Sequence, residues 1–208
     1  MTSPHEPPLL FLDVDGTVVP FGGAAPPPVG SFAAADDPYA TRCDPALGPR
    51  LAALPCRLVW ATAWMHDAND ELAPLLGLPR LPVVVWPEPT AVDALDERAG
   101  LHWKTRALVA WAAGRPFVWV DDELTDVDRA WVADRHPAPA LLHHVDHALG
   151  LTDADFRALD AWLRGPRCGV GSAVRRGPGA RDEVPGGLPR RPAAAEGEDA
   201  GDVLGEVV

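Results

Sequence analysis

The stretch Leu9-Leu10-Phe11-Leu12-Asp13-Val14-Asp15-Gly16-Thr17 decides how this chain is read. An apolar run ends abruptly in two carboxylates one residue apart, followed by a glycine and a threonine. Side chains in a strand alternate between faces, so residues two apart point the same way. Asp13 and Asp15 therefore converge if the strand end stays extended, and Gly16 offers a bend at that point. Two carboxylates held together at the end of a buried strand repel one another and call for a cation or a shared proton. Taken alone, the stretch is equally a strand followed by an Asp-Gly turn.

Working outward, further segments repeat the theme of an apolar strand finished by a polar group. Arg57–Ala61 is a second buried strand, ending at Thr62, and Phe117–Val120 is another, ending in Asp121-Asp122. Leu81–Trp86, fenced by prolines at 79, 82 and 87, reads as a strand with Pro82 at its start or at an edge. Ala140–Val145 reads as the last strand. Helices are expected from Asp44-Pro45 to about Leu54, Asp67–Leu76, Thr105–Ala113, Asp126–Asp134 and Thr152–Arg164, the last opened by a Thr152-x-x-Asp155 capping pattern. Residues 20–38 read as a Pro-rich loop or flap and 88–100 as acidic and irregular. Alternating strands and helices imply an α/β fold, a three-layer sandwich around a central parallel sheet in the Rossmann-like manner. In such sheets the ligand lies at the carboxyl ends of the strands. Three strands ending in polar groups place a candidate site there.

Composition limits the partners. The chain has 208 residues and a formal net charge of −12. Residues 1–165 carry 23 acids and 12 bases, so the acidity belongs to the prospective domain. A domain of this charge repels nucleic-acid backbones and anionic membranes, yet it can hold a small phosphorylated substrate through a local cation. Lys104 is the chain's one lysine against seventeen arginines. Cys43, Cys56 and Cys168 show no CxxC spacing and leave an odd number, which fits a reducing cytoplasm. The first residues lack a signal-peptide pattern, and no run is long enough to span a bilayer. From Gly165 onward Gly, Pro, Ala, Arg and acids dominate, so 1–165 is expected to fold and 166–208 to be a disordered tail.

Asp13-Val14-Asp15-Gly16-Thr17, Thr62, Lys104 and Asp121-Asp122 resemble, in order, the four signature motifs of the haloacid dehalogenase (HAD) superfamily. The resemblance spans about residues 9–126. It implies a HAD-like fold and a magnesium-dependent phosphomonoester hydrolase that works through an aspartyl-phosphate. By the same resemblance Asp13 is the nucleophile and Asp15 the general acid and base. Thr62 and Lys104 hold the phosphate. Magnesium is taken by Asp13, the backbone carbonyl of Asp15 and one of Asp121 and Asp122, with Asp122 as the ligand. Asp126 matches an outer acidic position. These roles suit phosphoryl transfer, which needs a nucleophile, charge neutralisation and positioning. The gaps of 44 residues (18–61) and 41 residues (63–103) are already filled by the flap, helices and a strand. That resembles a capless or minimally capped member, whose open site takes a small molecule or a phosphoprotein and is covered by the flap or by a second subunit.

Each residue also has a plainer reading. Thr62 can be a strand-end cap, Lys104 a solvated side chain, Asp121-Asp122 a turn and Asp126 a helix cap. His143, His144 and His147 read as ordinary, partly exposed histidines, because the first two lie on opposite strand faces. Trp64 is placed at the mouth of the site. Two other classes compete with the hydrolase: a regulatory phosphoacceptor and a non-catalytic phosphate-binding module on the same fold. The phosphoacceptor order, with an acidic cluster before the phosphorylated aspartate, fits a first-strand DxDGT poorly.

Overall fold

The structure is a computed structural model and describes residues 6–22 and 42–165. Most of the 20–38 flap, Cys168 and the 166–208 tail lie outside the described residues. The elements run β1 (Leu9–Leu12), α1 (Leu47–Ala52), β2 (Arg57–Trp60), a π-helical turn (Ala68–Leu72), α2 (Ala73–Leu76), α3 (Ala91–Arg98), α4 (Thr105–Ala112), β3 (Phe117–Asp121), α5 (Asp126–Arg135), β4 (Ala140–His144) and α6 (Asp153–Arg164). The four strands form one parallel sheet in the order β2-β1-β3-β4. The fold class is therefore the expected α/β sandwich.

Strand alternation builds the layers. Leu10, Leu12, Leu58, Trp60, Val118 and Val120 pack with Leu51, Leu72 and Leu159 from α1, the π-helical turn and α6. The alternate residues Leu9, Phe11, Val59, Phe117 and Trp119 pack with Leu108 of α4 and Val132 of α5. Burial on both faces explains the near-continuous apolar strands. The chain leaves β1 for β2 on one side and then crosses to β3 on the other. The reversal of strand order lies between β1 and β3, and sheets of this kind place their ligand crevice outside the carboxyl ends of the strands at such a point.

Three expectations need correction. Leu81–Trp86 is not a strand of the sheet; a single bridge joins Val83 to Trp60. The Trp60 N–H donates to Pro82 O and the Val84 N–H to Trp60 O, both at 2.9 Å. The next rung would need an N–H on Pro82, which proline lacks. At the other end the Trp86 indole N–H takes the Thr62 carbonyl at 3.0 Å.

The second correction is that residues 88–100 hold a helix. Thr90 and Asp93 form a reciprocal capping box at the start of α3. Its apolar residues bury no face, with Val92 and Leu95 exposed, so hydrophobic periodicity could not reveal it. Finally, the helix expected over Asp67–Leu76 is π-helical up to Leu72. Pro74 has no N–H for an α-type bond to Asp70, which disturbs that ladder.

Candidate active site

Strand parity and register bring the first groups together. Leu12 pairs with Val120, and the Asp13 N–H continues the ladder to Val120 O at 3.1 Å. Asp13 and Asp121 are thus cross-strand neighbours on the face that carries Phe11 and Trp119. Like charges so placed are destabilising without a counter-ion. α4 packs on this face, and Lys104 stands at its N-terminal end. The Lys104 Nζ donates to Asp13 Oδ1 at 2.7 Å and to Asp121 Oδ2 at 2.8 Å. All three residues are buried, at 4%, 5% and 0% exposure, so the lysine is not a solvated surface group.

Neighbouring groups fix both ends of this pair. The Trp119 indole N–H donates to Asp121 Oδ2 at 3.1 Å, and the Glu123 N–H to Asp121 Oδ1 at 3.0 Å. The Lys104 N–H donates to His102 Nδ1 at 3.1 Å, which leaves the proton of a neutral ring on Nε2, facing Glu123 Oε2 at 3.1 Å. Asp128, buried in the first turn of α5, accepts from the His102 N–H at 2.8 Å and the Thr105 hydroxyl at 2.7 Å. Burial works to raise the Asp128 carboxyl, but the Thr105 and Thr125 hydroxyls and these backbone N–H groups hold it below the usual carboxylate range. Asp128 thereby ties the start of α5 to the start of α4.

The electrostatics are those of too many carboxylates around one ammonium. Burial pushes Asp13 up to about 7, opposed by Lys104 and reinforced by Asp121. Burial and the Asp121 charge also raise Asp122. For Lys104, burial pulls downward, but Asp13 and Asp121 hold it above its ordinary value.

After Asp13 the chain turns. Val14 O accepts from the N–H groups of Thr17, Val18 and Val19 at 3.2, 2.9 and 2.9 Å. Gly16 has φ +71°, and a Cβ there would meet Asp122 Oδ2 at 2.3 Å. Glycine is required both for the turn and for the close approach of Asp122. The Asp15 carboxylate accepts from the Trp64 indole N–H at 2.9 Å, which seats Trp64 at the site. Thr62 is fully buried, and its hydroxyl accepts from the Trp64 N–H at 3.2 Å.

Asp13, Asp121 and Asp122 offer ligand oxygens within 4.8 Å of one another, a set that could hold a metal ion. The Asp15 carboxylate is not part of that group. Three carboxylates share one ammonium, so charge is left over for a cation, and an all-oxygen donor set suits a hard divalent one. Asp121 accepts three hydrogen bonds from protein groups, whereas Asp122 has no ion-pair partner among the described residues. Asp126 is displaced from its expected place. Its side chain is fully exposed beside Arg129, 3.6 Å away, and the buried acid of that turn is Asp128. Among the histidines, His143 pairs with Asp155 at 2.8 Å, His144 is exposed, and His147 lies against the Phe21 ring.

Sequence reasoning missed Asp128, His102 and Trp119. Thr125-x-x-Asp128 is the same capping pattern as Thr152-x-x-Asp155 and was open to the same reading. Trp119 shares the Asp121 face by strand parity. His102 carries no signal of its own, because its role depends on the path of the chain before α4.

No curated protein and no solved structure was found to match this chain. Residues 9–156, however, match the protein family described as the HAD domain in Swiss Army Knife RNA repair proteins. That match covers every residue of the crevice and the four strands behind it, and it places the chain in the haloacid dehalogenase superfamily of hydrolases as a member of this family.

Proposed function

We propose that the protein is a magnesium-dependent phosphomonoester hydrolase working through an aspartyl-phosphate. The observation that carries this reading is the buried Lys104 bridging Asp13 and Asp121, with Asp122 completing a cluster of three carboxylates. Asp13, the Asp15 carbonyl and Asp122 would hold the magnesium ion. When bound, the ion would neutralise charge on the phosphoryl oxygens and keep Asp13 ionised.

The chain's own groups supply the rest. Asp13 attacks phosphorus, forming the acyl-phosphate bond as the ester P–O bond breaks. Asp15, oriented by Trp64, gives its proton to the leaving alkoxide. The same carboxylate then takes a proton from water as the water oxygen attacks phosphorus, which releases phosphate and restores Asp13. Lys104 and Thr62 stabilise the charge on the transferring group. Lys104 needs Asp121 for this: without its second partner the ammonium would close on the nucleophile alone. Asp121 therefore serves as a positioning residue and Asp122 as the direct metal ligand.

The substrate is a phosphorylated small molecule or protein, in a cytoplasmic enzyme whose open site a second subunit could cover. Among the described residues no helix is long and apolar enough to cross a membrane. The family description adds a second candidate, the phosphorylated end of an RNA. The net charge of −11 on residues 1–165 opposes a long polyanion, so an RNA substrate would be engaged at its terminus.

The test is hydrolysis of an aryl phosphate with and without magnesium by the wild type and Asp13→Asn. Turnover that needs magnesium and vanishes in the variant is expected. Folded wild-type protein without turnover would transfer the reading to a phosphoacceptor or phosphate-binding module.

A further inference from the structure

A pocket of about 750 Å³ lies beside Lys104, between α3 and the segments around residues 100–103 and 123–125. None of the four resemblance motifs lines it, but the catalytic lysine touches its wall. Lys104 Nζ stands 5.5 Å from the centre of the Trp103 ring, and Trp103 lines the pocket with 48% of its surface exposed. Trp86 meets Trp103 edge to face at 4.8 Å and His102 stacks on it at 5.7 Å, so the ring is braced although half-exposed. The opposite wall is α3, which places none of its residues in the core. A helix that buries nothing of its own gains little stability from its position. Its Asp96 accepts from the Arg106 guanidinium of α4 at 2.8 Å, and its Asp93, Ala94 and Glu97 line this space.

The pocket lining has a definite chemistry. Leu101 and Pro89 are apolar, while Asp93, Glu97 and Glu123 contribute carboxylates, and no lysine or arginine is present. Asp93 is engaged in the Thr90 cap, and Glu123 Oε2 faces His102. The Glu97 side chain is exposed to solvent. The lining thus repels anions, accepts hydrogen bonds and offers an aromatic surface. The volume exceeds what a small alkyl group fills and accommodates a fused ring with a sugar.

We propose that this pocket is the leaving-group subsite and takes a planar ring bearing amino donors, the size of a nucleobase. The inference rests on the phosphatase reading, since it is the alcohol side of the ester that Trp103 and Glu97 would receive. The phosphate stays at Lys104, and the ring packs on Trp103 with its amino group toward Glu97. The recognised unit is one nucleoside, because an acidic pocket gives no hold on further phosphates.

The experiment uses adenosine and uridine, which lack phosphate, in fluorescence titrations of the full chain. It also compares turnover of adenosine monophosphate with that of glycerol phosphate. Saturable adenosine binding, tighter than uridine binding, is expected in the wild type. Trp103→Ala is expected to weaken adenosine binding and to lower kcat/KM for the nucleotide by roughly tenfold more than for glycerol phosphate, the scale of one lost base–aromatic stack. Glu97→Ala, on an exposed helix, is expected to fold normally and to narrow the adenosine preference over uridine. Absence of adenosine binding, uridine bound as tightly as adenosine, or equal losses on both esters in Trp103→Ala would each overturn the subsite. Adenosine binding by a wild type that hydrolyses neither ester would instead refute the phosphatase reading and uphold the ring pocket.

Discussion

Replacing Lys104 by methionine keeps an unbranched side chain one atom shorter and removes the charged terminus, which isolates what the ammonium does for the fold. Lys104, Asp13 and Asp121 are nearly or fully inaccessible to solvent, and the ammonium bonds both carboxylates at 2.7 and 2.8 Å. Removing one member of a buried pair costs about 3–5 kcal/mol, because the partner charge stays buried without compensation. A loss of about that size is expected for metal-free Lys104→Met at about pH 8. The loss depends on pH with a definite sign. Burial raises folded Asp13 from 3.8 to about 7, so its titration costs the wild type stability as pH rises through that window. Lys104 pulls Asp13 down, so in its absence the window extends above 7 and the two stability curves separate there. Below about 7, a protonated Asp13 can donate to Asp121 in place of the ammonium, and the difference shrinks to about 1–2 kcal/mol, the scale of one exchanged hydrogen bond. Urea unfolding with a chelator present, at about pH 8 and about pH 5.5, reads both values. A loss below about 1 kcal/mol at both pH values would mean that the pair behaves as a solvated one, and the buried-bridge argument would fail.

Two other substitutions probe separate parts of the structure. Gly16→Ala puts a methyl group 2.3 Å from Asp122 Oδ2 on a residue with φ +71°, so Asp122 must leave its seat. Magnesium affinity by calorimetry, and magnesium-dependent turnover, are expected to fall at least ~10-fold, and unchanged affinity would show that Gly16 does not position Asp122. Asp155→Ala removes the α6 capping box and the His143 partner, for a loss of about 1 kcal/mol in urea unfolding at neutral pH. Burial works to raise Asp155, but Thr152 and His143 hold it below 3.8. An acid lowered in this way stabilises the fold above its unfolded value and loses that effect as pH falls through the folded one. The wild-type and variant curves should therefore converge in strong acid, and a gap that persists to about pH 2 would assign the loss to packing.

Local chemistry within the sequence determined much of this protein. Apolar strands broken by helical stretches specified a parallel, doubly covered sheet, because the central strands have to bury both faces. Abrupt polar endings at Asp13, Thr62 and Asp121 marked which end of the sheet carries the site. The lone lysine in an arginine-rich chain singled out the cation, and Asp-Gly marked the turn. These are short-range signals, carried by side-chain type and alternation alone. Tertiary structure decided what the groups do to one another. The β1–β3 register makes Asp13 and Asp121 neighbours, and only the packing of α4 on that face brings Lys104 between them. The division between Asp121, held by Lys104 and Trp119, and Asp122, laid over Gly16, could not be read from two adjacent aspartates. Asp128 displaced Asp126 as the buried acid because the first turn of α5 faces His102 and Thr105. Helix α3 and the pocket beside Trp103 were hidden for the same reason. A helix with no buried face leaves no hydrophobic period, and its position depends on where the rest of the chain folds.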